Sequence, residues 1–207
     1  MATMDQLRAG IRKSFPEIEE IENPELRDKV VEAWALALSQ TEFTRVEEIR
    51  ASGERITLTM RRGTQAEHIR GVTRMAVAMA EQLEQVVGPL GIDRDLLIAC
   101  ALCHDVGTPF EFSPSNHLRW CENETHAGVP AIRHPIYGAY ITLSVGLPEA
   151  VAQAAGTHST EGECIQRSLE NTIVHLADRA FWLTLERAGM LVDRPFTVAF
   201  NGSVVAV

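Results

Sequence analysis

Two apolar helical patterns, running back to back from Gly63 to His104, constrain the fold more than anything else in the chain. The segment TQAE is a capping box, with Thr64 as N-cap and Glu67 three residues on. The following HIRGVTRMAVAMAEQLEQVV carries apolar side chains at three- and four-residue steps until GPLG stops it. A second helix is expected from about Asp93. Its apolar run LLIACALC ends on the adjacent His104 and Asp105, just before Gly107 and Pro109. Helical spacing returns in NPELRDKVVEAWALAL, where Asn23 is a possible N-cap and Pro24 takes the first helical position. It returns again in HPIYGAYITLSV, LPEAVAQAAGTH and CIQRSLENTIVHLADRAFWLTLERAG. The class is therefore mainly α.

Three stretches depart from this pattern. In RITLTMR, Ile56, Leu58 and Met60 alternate with polar residues, so residues 55–60 are expected as a short β-prone arm. The tail RPFTVAFNGSVVAV is β-prone with a turn at Asn201-Gly202, and is free to pair with 55–60 or with another subunit, which leaves a homodimer open. Residues 107–133 are rich in Pro, Gly, Ser and Asn without clear periodicity, and are expected as a long loop of the kind that is functional or disordered. The acidic PEIEEIENPE is expected as a solvated turn. The organisation implied is an N-terminal helical extension over 1–50, a central domain over 51–190 and the β-prone tail over 191–207, all in one compact unit. A chain of 207 residues is long enough for that core.

Charge and cysteine usage narrow the function classes. A net charge of −9 excludes the basic surface that nucleic acid requires, but leaves room for a small anion held by local arginines. Of the 19 basic residues only Lys13 and Lys29 are lysines, so anion recognition falls to guanidinium groups. No apolar run is long enough for a membrane span, and the opening MATMDQLRAGIRKSF lacks a signal-peptide pattern, so a cytoplasmic protein is expected. Cys100 and Cys103 form a C-x-x-C, but both sit inside IACALC with no second pair, and are read as small buried helix residues.

The chemistry gathers at the ends of these helices. His68 lies in the first turns of the capped helix, and His104 with Asp105 ends the next. His134 opens HPIYGA and His158 closes AVAQAAGTH. Asp178 falls inside the apolar TIVHLADRAFWL, where an unpaired carboxylate is costly to bury and a metal offsets the cost. This order, H…HD…H…H…D over residues 64–180, resembles the HD superfamily of metal-dependent phosphohydrolases, and with the two intermediate histidines its dinuclear-metal branch. The resemblance implies an HD-domain helical bundle. It also implies that His68, His104, Asp105 and Asp178 hold one metal, while His134 and His158 hold a second, with Asp105 bridging. Neighbouring residues on a regular helix project about a hundred degrees apart. At a helix end relaxing into VGT, His104 and Asp105 can reach one ion or a pair. Mixed imidazole and carboxylate ligation suits iron, manganese, zinc or cobalt, with iron favoured for a helical His-rich pair.

The expected function is hydrolysis of a small phosphorylated or otherwise anionic molecule through metal-bound hydroxide, with Asp105 orienting the nucleophile. Many phosphohydrolases of this superfamily carry a lysine two residues past the glycine-containing HD turn's valine position, in a pattern like HDIGK; here HDVGT places Thr108 there. Arg62, Arg119, Arg133 and Arg179 are the substitutes on offer, and Arg133 and Arg179, each beside a ligand, are the expected anion-binding groups. The same ligand set also resembles the superfamily's di-iron oxygenases, myo-inositol oxygenase-like and aminophosphonate-cleaving proteins, which cleave a C–C or C–P bond. A regulatory module without activity is a further alternative. Phe110, Phe112 and Trp120 are expected to pack 107–133 onto the bundle, with that segment forming a lid. His117 and His126 within it are expected to be solvent-exposed, and His175 is expected as a core histidine or a partner of the ligands.

Overall fold

The structure is a computed structural model that describes residues 2–53, 58–193, 197–200 and 203–206. Helices α1 (Met4–Ser14) and α2 (Pro24–Ser39) lead into β1 (Leu58–Met60), α3 (Gln65–Val87) and α4 (Arg94–Cys103). Three short helices follow, α5 (Thr108–Glu111), α6 (Pro114–Cys121) and α7 (Glu124–Ala127). The chain then forms α8 (His134–Ser144), α9 (Glu149–Thr157), α10 (Leu169–Arg187) and the strands β2 (Leu191–Asp193), β3 (Thr197–Phe200) and β4 (Ser203–Ala206). The mainly α class follows directly from the spacing.

The caps sit where the sequence places them. The Thr64 N–H donates to the Glu67 carboxylate at 2.7 Å, Asn23 accepts from the Glu25 and Leu26 N–H groups, and Asp93 accepts from Leu96 at 3.0 Å. Helix α4 is the axis of the molecule: every residue from Leu97 to Cys103 is buried, and α2, α3, α9 and α10 pack around it. That enclosure explains the two cysteines, whose thiols burial pushes up, away from reactivity. The end of α4 has carbonyls with no helical partner. The Trp34 indole N–H donates to the Leu102 carbonyl at 2.8 Å, and His104 Nδ1 takes that of Ala101 at 2.7 Å. Residues 1–50 thus cover the bundle: Leu7, Ile11, Trp34 and Leu38 belong to the same core as α3, α4, α9 and α10.

Two glycines set the close approaches that assemble the site. A Cβ on Gly71 would fall 2.6 Å from the Phe181 ring, so α3 and α10 come together closely there. A Cβ on Gly107 would fall 2.1 Å from the His134 carbonyl oxygen, so the turn after His104-Asp105 presses against the first turn of α8.

Three expectations need correction. Residues 107–133 are not a long loop; α5, α6 and α7 occupy most of them, each too short to show periodicity but supplied with starts by Thr108-Pro109 and by Ser113, which accepts from Asn116. His117 is fully buried rather than exposed, its Nε2 donating to the Glu111 carbonyl at 2.6 Å, whereas His126 is exposed on α7. PEIEEIENPE is not a solvated turn: Pro16–Glu20 forms a 3-10 helix that buries Ile18, with Ile21 buried just beyond it, and Glu17 is buried against Arg70 at 3.0 Å. The β-prone arm is described from Leu58, with Arg55 and Ile56 outside the described residues. It pairs antiparallel with the start of the tail, Leu58 opposite Asp193 and Met60 opposite Leu191. Strands β3 and β4 pair with each other, Thr197 opposite Ala206, while the turn expected at Asn201-Gly202 lies outside the described residues. No described helix is long and apolar enough to cross a membrane.

Candidate metal centre

The six residues singled out from the sequence meet at one point. His68 comes from the first turns of α3, His104 caps α4, and Asp105 follows it. His134 is the first residue of α8, His158 caps α9, and Asp178 lies in α10. Asp105 is the common member, and its two oxygens face different partners. Oδ2 lies 3.2 Å from His68 Nε2 and 3.5 Å from His104 Nε2, while Oδ1 lies 3.1 Å from His134 Nε2 and 3.3 Å from His158 Nε2. Asp178 Oδ1 joins the first group, 3.4 Å from His68 Nε2. Two donor clusters result, His68–His104–Asp105 and Asp105–His134–His158.

Neighbouring groups aim these donors inward. With His104 Nδ1 against the Ala101 carbonyl and His158 Nδ1 3.1 Å from that of Ala154, both Nε2 atoms turn their lone pairs to the centre. Glu111 does the same for His134, accepting from its Nδ1 at 2.6 Å and from its backbone N–H at 2.5 Å. Gln65 donates its amide to Asp105 Oδ2 at 2.7 Å. His175 lies partly buried on α10, with its Nδ1 against the His158 carbonyl, so it braces a neighbour of the centre rather than filling the core.

The electrostatics are those of a site built around positive charge. Burial pushes the His104 imidazole down to about 4, past the upward pull of Asp105, so this ring is neutral at physiological pH. Burial also works against a charged His134, but Asp105 and Glu111 outweigh it and hold that ring up at about 10. Burial works to raise the Asp105 carboxyl; His104 and His134 overcome it and hold the group well below the usual carboxylate range. The donor set itself tests whether a cation belongs here. His104 Nε2 is a bare lone pair facing His68 Nε2 at 3.2 Å, and the buried Asp178 Oδ1 has no hydrogen-bond partner among the described residues. Convergent imidazoles and carboxylates with an orphaned acceptor fit a divalent metal site.

Four of the six, Asp105, His134, His158 and Asp178, line a cavity of about 930 Å³. Arg133 and Arg179 both line it. Arg133 is committed, its Nε 3.1 Å from Glu161 and a terminal nitrogen 3.7 Å from Glu111, whereas Arg179 makes no ion pair among the described residues. Arg62 and Arg119 lie on the surface outside the cavity wall. Of the segment expected as a lid, Thr108, Glu111, Phe112 and its last residue, Arg133, reach the cavity. The rest turns away to pack: Trp120 is buried, and Phe110 stacks on Tyr137 with ring centroids 3.8 Å apart. Three site residues were not anticipated. Gln65 stands three residues before His68 and Trp182 four after Asp178, so helical spacing pointed to both; Glu111 sits where no periodicity could mark it.

The HD domain profile matches residues 66–181. A dihydroneopterin 2',3'-cyclic phosphate phosphodiesterase from Methanocaldococcus jannaschii is 33% identical over 117 residues, which are 55% of this chain and 44% of that protein. The chain therefore aligns with less than half the length of this relative. No solved structure matches. A helical bundle carrying the H…HD…H…H…D order on one converging centre, matched by the HD profile over more than half its length, makes this chain a member of the HD-domain family.

Proposed function

We propose that this protein is a metal-dependent phosphohydrolase that cleaves a small phosphoester. Its ligands are His68, His104, Asp105 and Asp178 for one divalent ion and His134, His158 and Asp105 for a second. The observation that carries the reading is the divided Asp105 carboxylate, whose two oxygens face separate pairs of imidazoles at 3.1–3.5 Å. A single buried carboxylate with that many nitrogen partners suits a bridge between cations. The name of the M. jannaschii relative supports a phosphodiester, and a cyclic one, as the substrate type.

When bound, such ions polarise a phosphoryl oxygen and acidify a water molecule. The protein's own part is positional. Gln65 holds Asp105 in place by its amide, Glu111 fixes His134 with Nε2 toward Asp105, and the Ala101 and Ala154 carbonyls fix His104 and His158. Arg179, uncommitted and lining the cavity, supplies the cation that Thr108 does not. Imidazole and carboxylate donors suit iron, manganese, zinc or cobalt, and iron is favoured.

The test is metal analysis of protein purified with and without air, followed by assay against nucleoside 2',3'-cyclic phosphates and simple phosphate esters. Two divalent ions per chain with ring opening or phosphate release is the expected result. Two irons with a mixed-valent signal and no phosphoester cleavage would replace this reading with the oxygenase one.

A further inference from the structure

Helix α10 carries more of the cavity wall than its ligand. His175, Asp178, Arg179, Trp182, Leu183 and Glu186 all line the cavity. At a hundred degrees per residue they fall within about 140° of the helix circumference, a single stripe. Along the axis the stripe has an order. Asp178 belongs to the metal cluster and Arg179 follows it in the chain, Trp182 and Leu183 come about 6 Å further on, and Glu186 ends the stripe about 12 Å from Asp178. The middle is apolar, and Leu58 and Leu191 of the β1–β2 pair line the same cavity. Trp182 is held in place: its ring lies 4.8 Å from that of His68, and Gly53 lies against the indole, close enough that an added Cβ would be in van der Waals contact at 3.4 Å.

The two charged ends of the stripe are both uncommitted. Arg179 pairs with no described carboxylate, and the Glu186 carboxylate pairs with no described cation. The other glutamates of the wall differ in this respect, since Glu161 meets Arg133 at 3.1 Å, Glu111 meets Arg133 at 3.7 Å and Glu163 meets Arg167 at 3.1 Å. The free charges along the stripe are therefore positive beside the metals and negative at the far end, with an apolar stretch between.

From this order we infer that α10 selects the substrate: a phosphoester whose body is apolar or flat, lying along Trp182 and Leu183, and whose far end is cationic or a hydrogen-bond donor and meets Glu186. A second phosphate at that end is disfavoured. The inference rests on the phosphohydrolase reading, which assigns the phosphoryl group to the metal end. It makes Glu186 a specificity-determining residue rather than a member of the catalytic machinery.

Three probes of one length separate the possibilities: hexyl phosphate, 6-aminohexyl phosphate and hexane-1,6-diol bisphosphate. Their binding to the manganese-loaded full chain is measured by calorimetry at low salt, where an exposed carboxylate is least screened. The aminohexyl ester is expected to bind most tightly and the bisphosphate most weakly, with about two- to fivefold between successive probes, the range of an exposed ion pair. Glu186→Gln should bring the aminohexyl and hexyl esters together, and Glu186→Arg should invert the order. Arg179→Gln should weaken all three by a similar factor. Equal affinities in the unaltered protein, or an order that Glu186→Arg leaves unchanged, would overturn the assignment while leaving the phosphohydrolase reading standing. Failure of all three probes to bind in a metal-dependent way would overturn both.

Discussion

The two sides of the Asp105 carboxylate are built differently. On the Oδ2 side, His68 and His104 are almost wholly buried on long or fully enclosed helices, and His104 takes a carbonyl of its own helix. On the Oδ1 side, His158 is buried and held by its own helix in the same way, but His134 stands at the first residue of α8, partly open to the cavity, and a side chain from another element, Glu111, holds it. Packing of the bundle sets the inner side and His158, while His134 on the outer side depends on a turn contact and one buried carboxylate. Burial leaves the inner His104 neutral, whereas acids around the outer His134 hold it charged, with a proton that a bound cation would displace. The inner side should therefore keep its shape without metal more readily than the outer.

The largest break in this comparison should come from Gly107→Ala. The new Cβ would meet the His134 carbonyl at 2.1 Å, so the turn and α8 must separate. A loss of stability of about 3 kcal/mol, the upper end for overpacking, is expected because the clash is with backbone. Loss of the outer ion should accompany it, with the inner ion retained; denaturant titration and metal analysis check both. Paired substitutions come next. His134→Ala should leave one ion per chain, bound by the inner residues. His104→Ala should lose the inner ion and also cost about 2–3 kcal/mol as a cavity in the core. Equal stoichiometry and equal stability in the two variants would remove the distinction between the sides.

The same division explains what could be read from the chain. The residues of the inner side sit on helices whose spacing and caps are explicit: Thr64 and Glu67 start the helix of His68, Asp93 starts the one that ends at His104, and Asp178 is conspicuous among apolar neighbours. His134 and His158 could be found because they flank helix ends with Pro and Gly beside them. Glu111 could not, because α5 is a single turn and one turn has no period. The burial of His117 is hidden for the same reason: it follows from the packing of α6, a tertiary fact that a Pro- and Asn-rich stretch does not announce. The buried Ile18 and Ile21 were hidden among acidic neighbours, where composition suggested solvent and the tight 3-10 turn directed both inward.

A smaller effect is expected from Glu111→Gln, which keeps the shape of the side chain and removes its charge. His134 then loses the carboxylate that fixes its tautomer, and affinity for the outer ion should fall about 10- to 100-fold. The inner ion should be nearly unaffected, as competition with a chelating dye can show for each site in turn. A fall of similar size at both sites would mean that Glu111 acts through Asp105 instead of through His134.

The smallest effect tests the inner side alone. Cys100 and Cys103 are buried on α4, four and one residues before His104, and burial raises their thiols, whereas Cys121 and Cys164 are exposed. A thiol reagent should therefore label Cys121 and Cys164 in the native protein and all four cysteines after denaturation. Treatment with a chelator should leave that native pattern unchanged, because Trp34, α3, α9 and α10 enclose α4 by packing that requires no ion. Labelling of Cys103 after chelation would mean that metal, and not the bundle, holds the end of α4 closed, and the inner side would then be no more preformed than the outer.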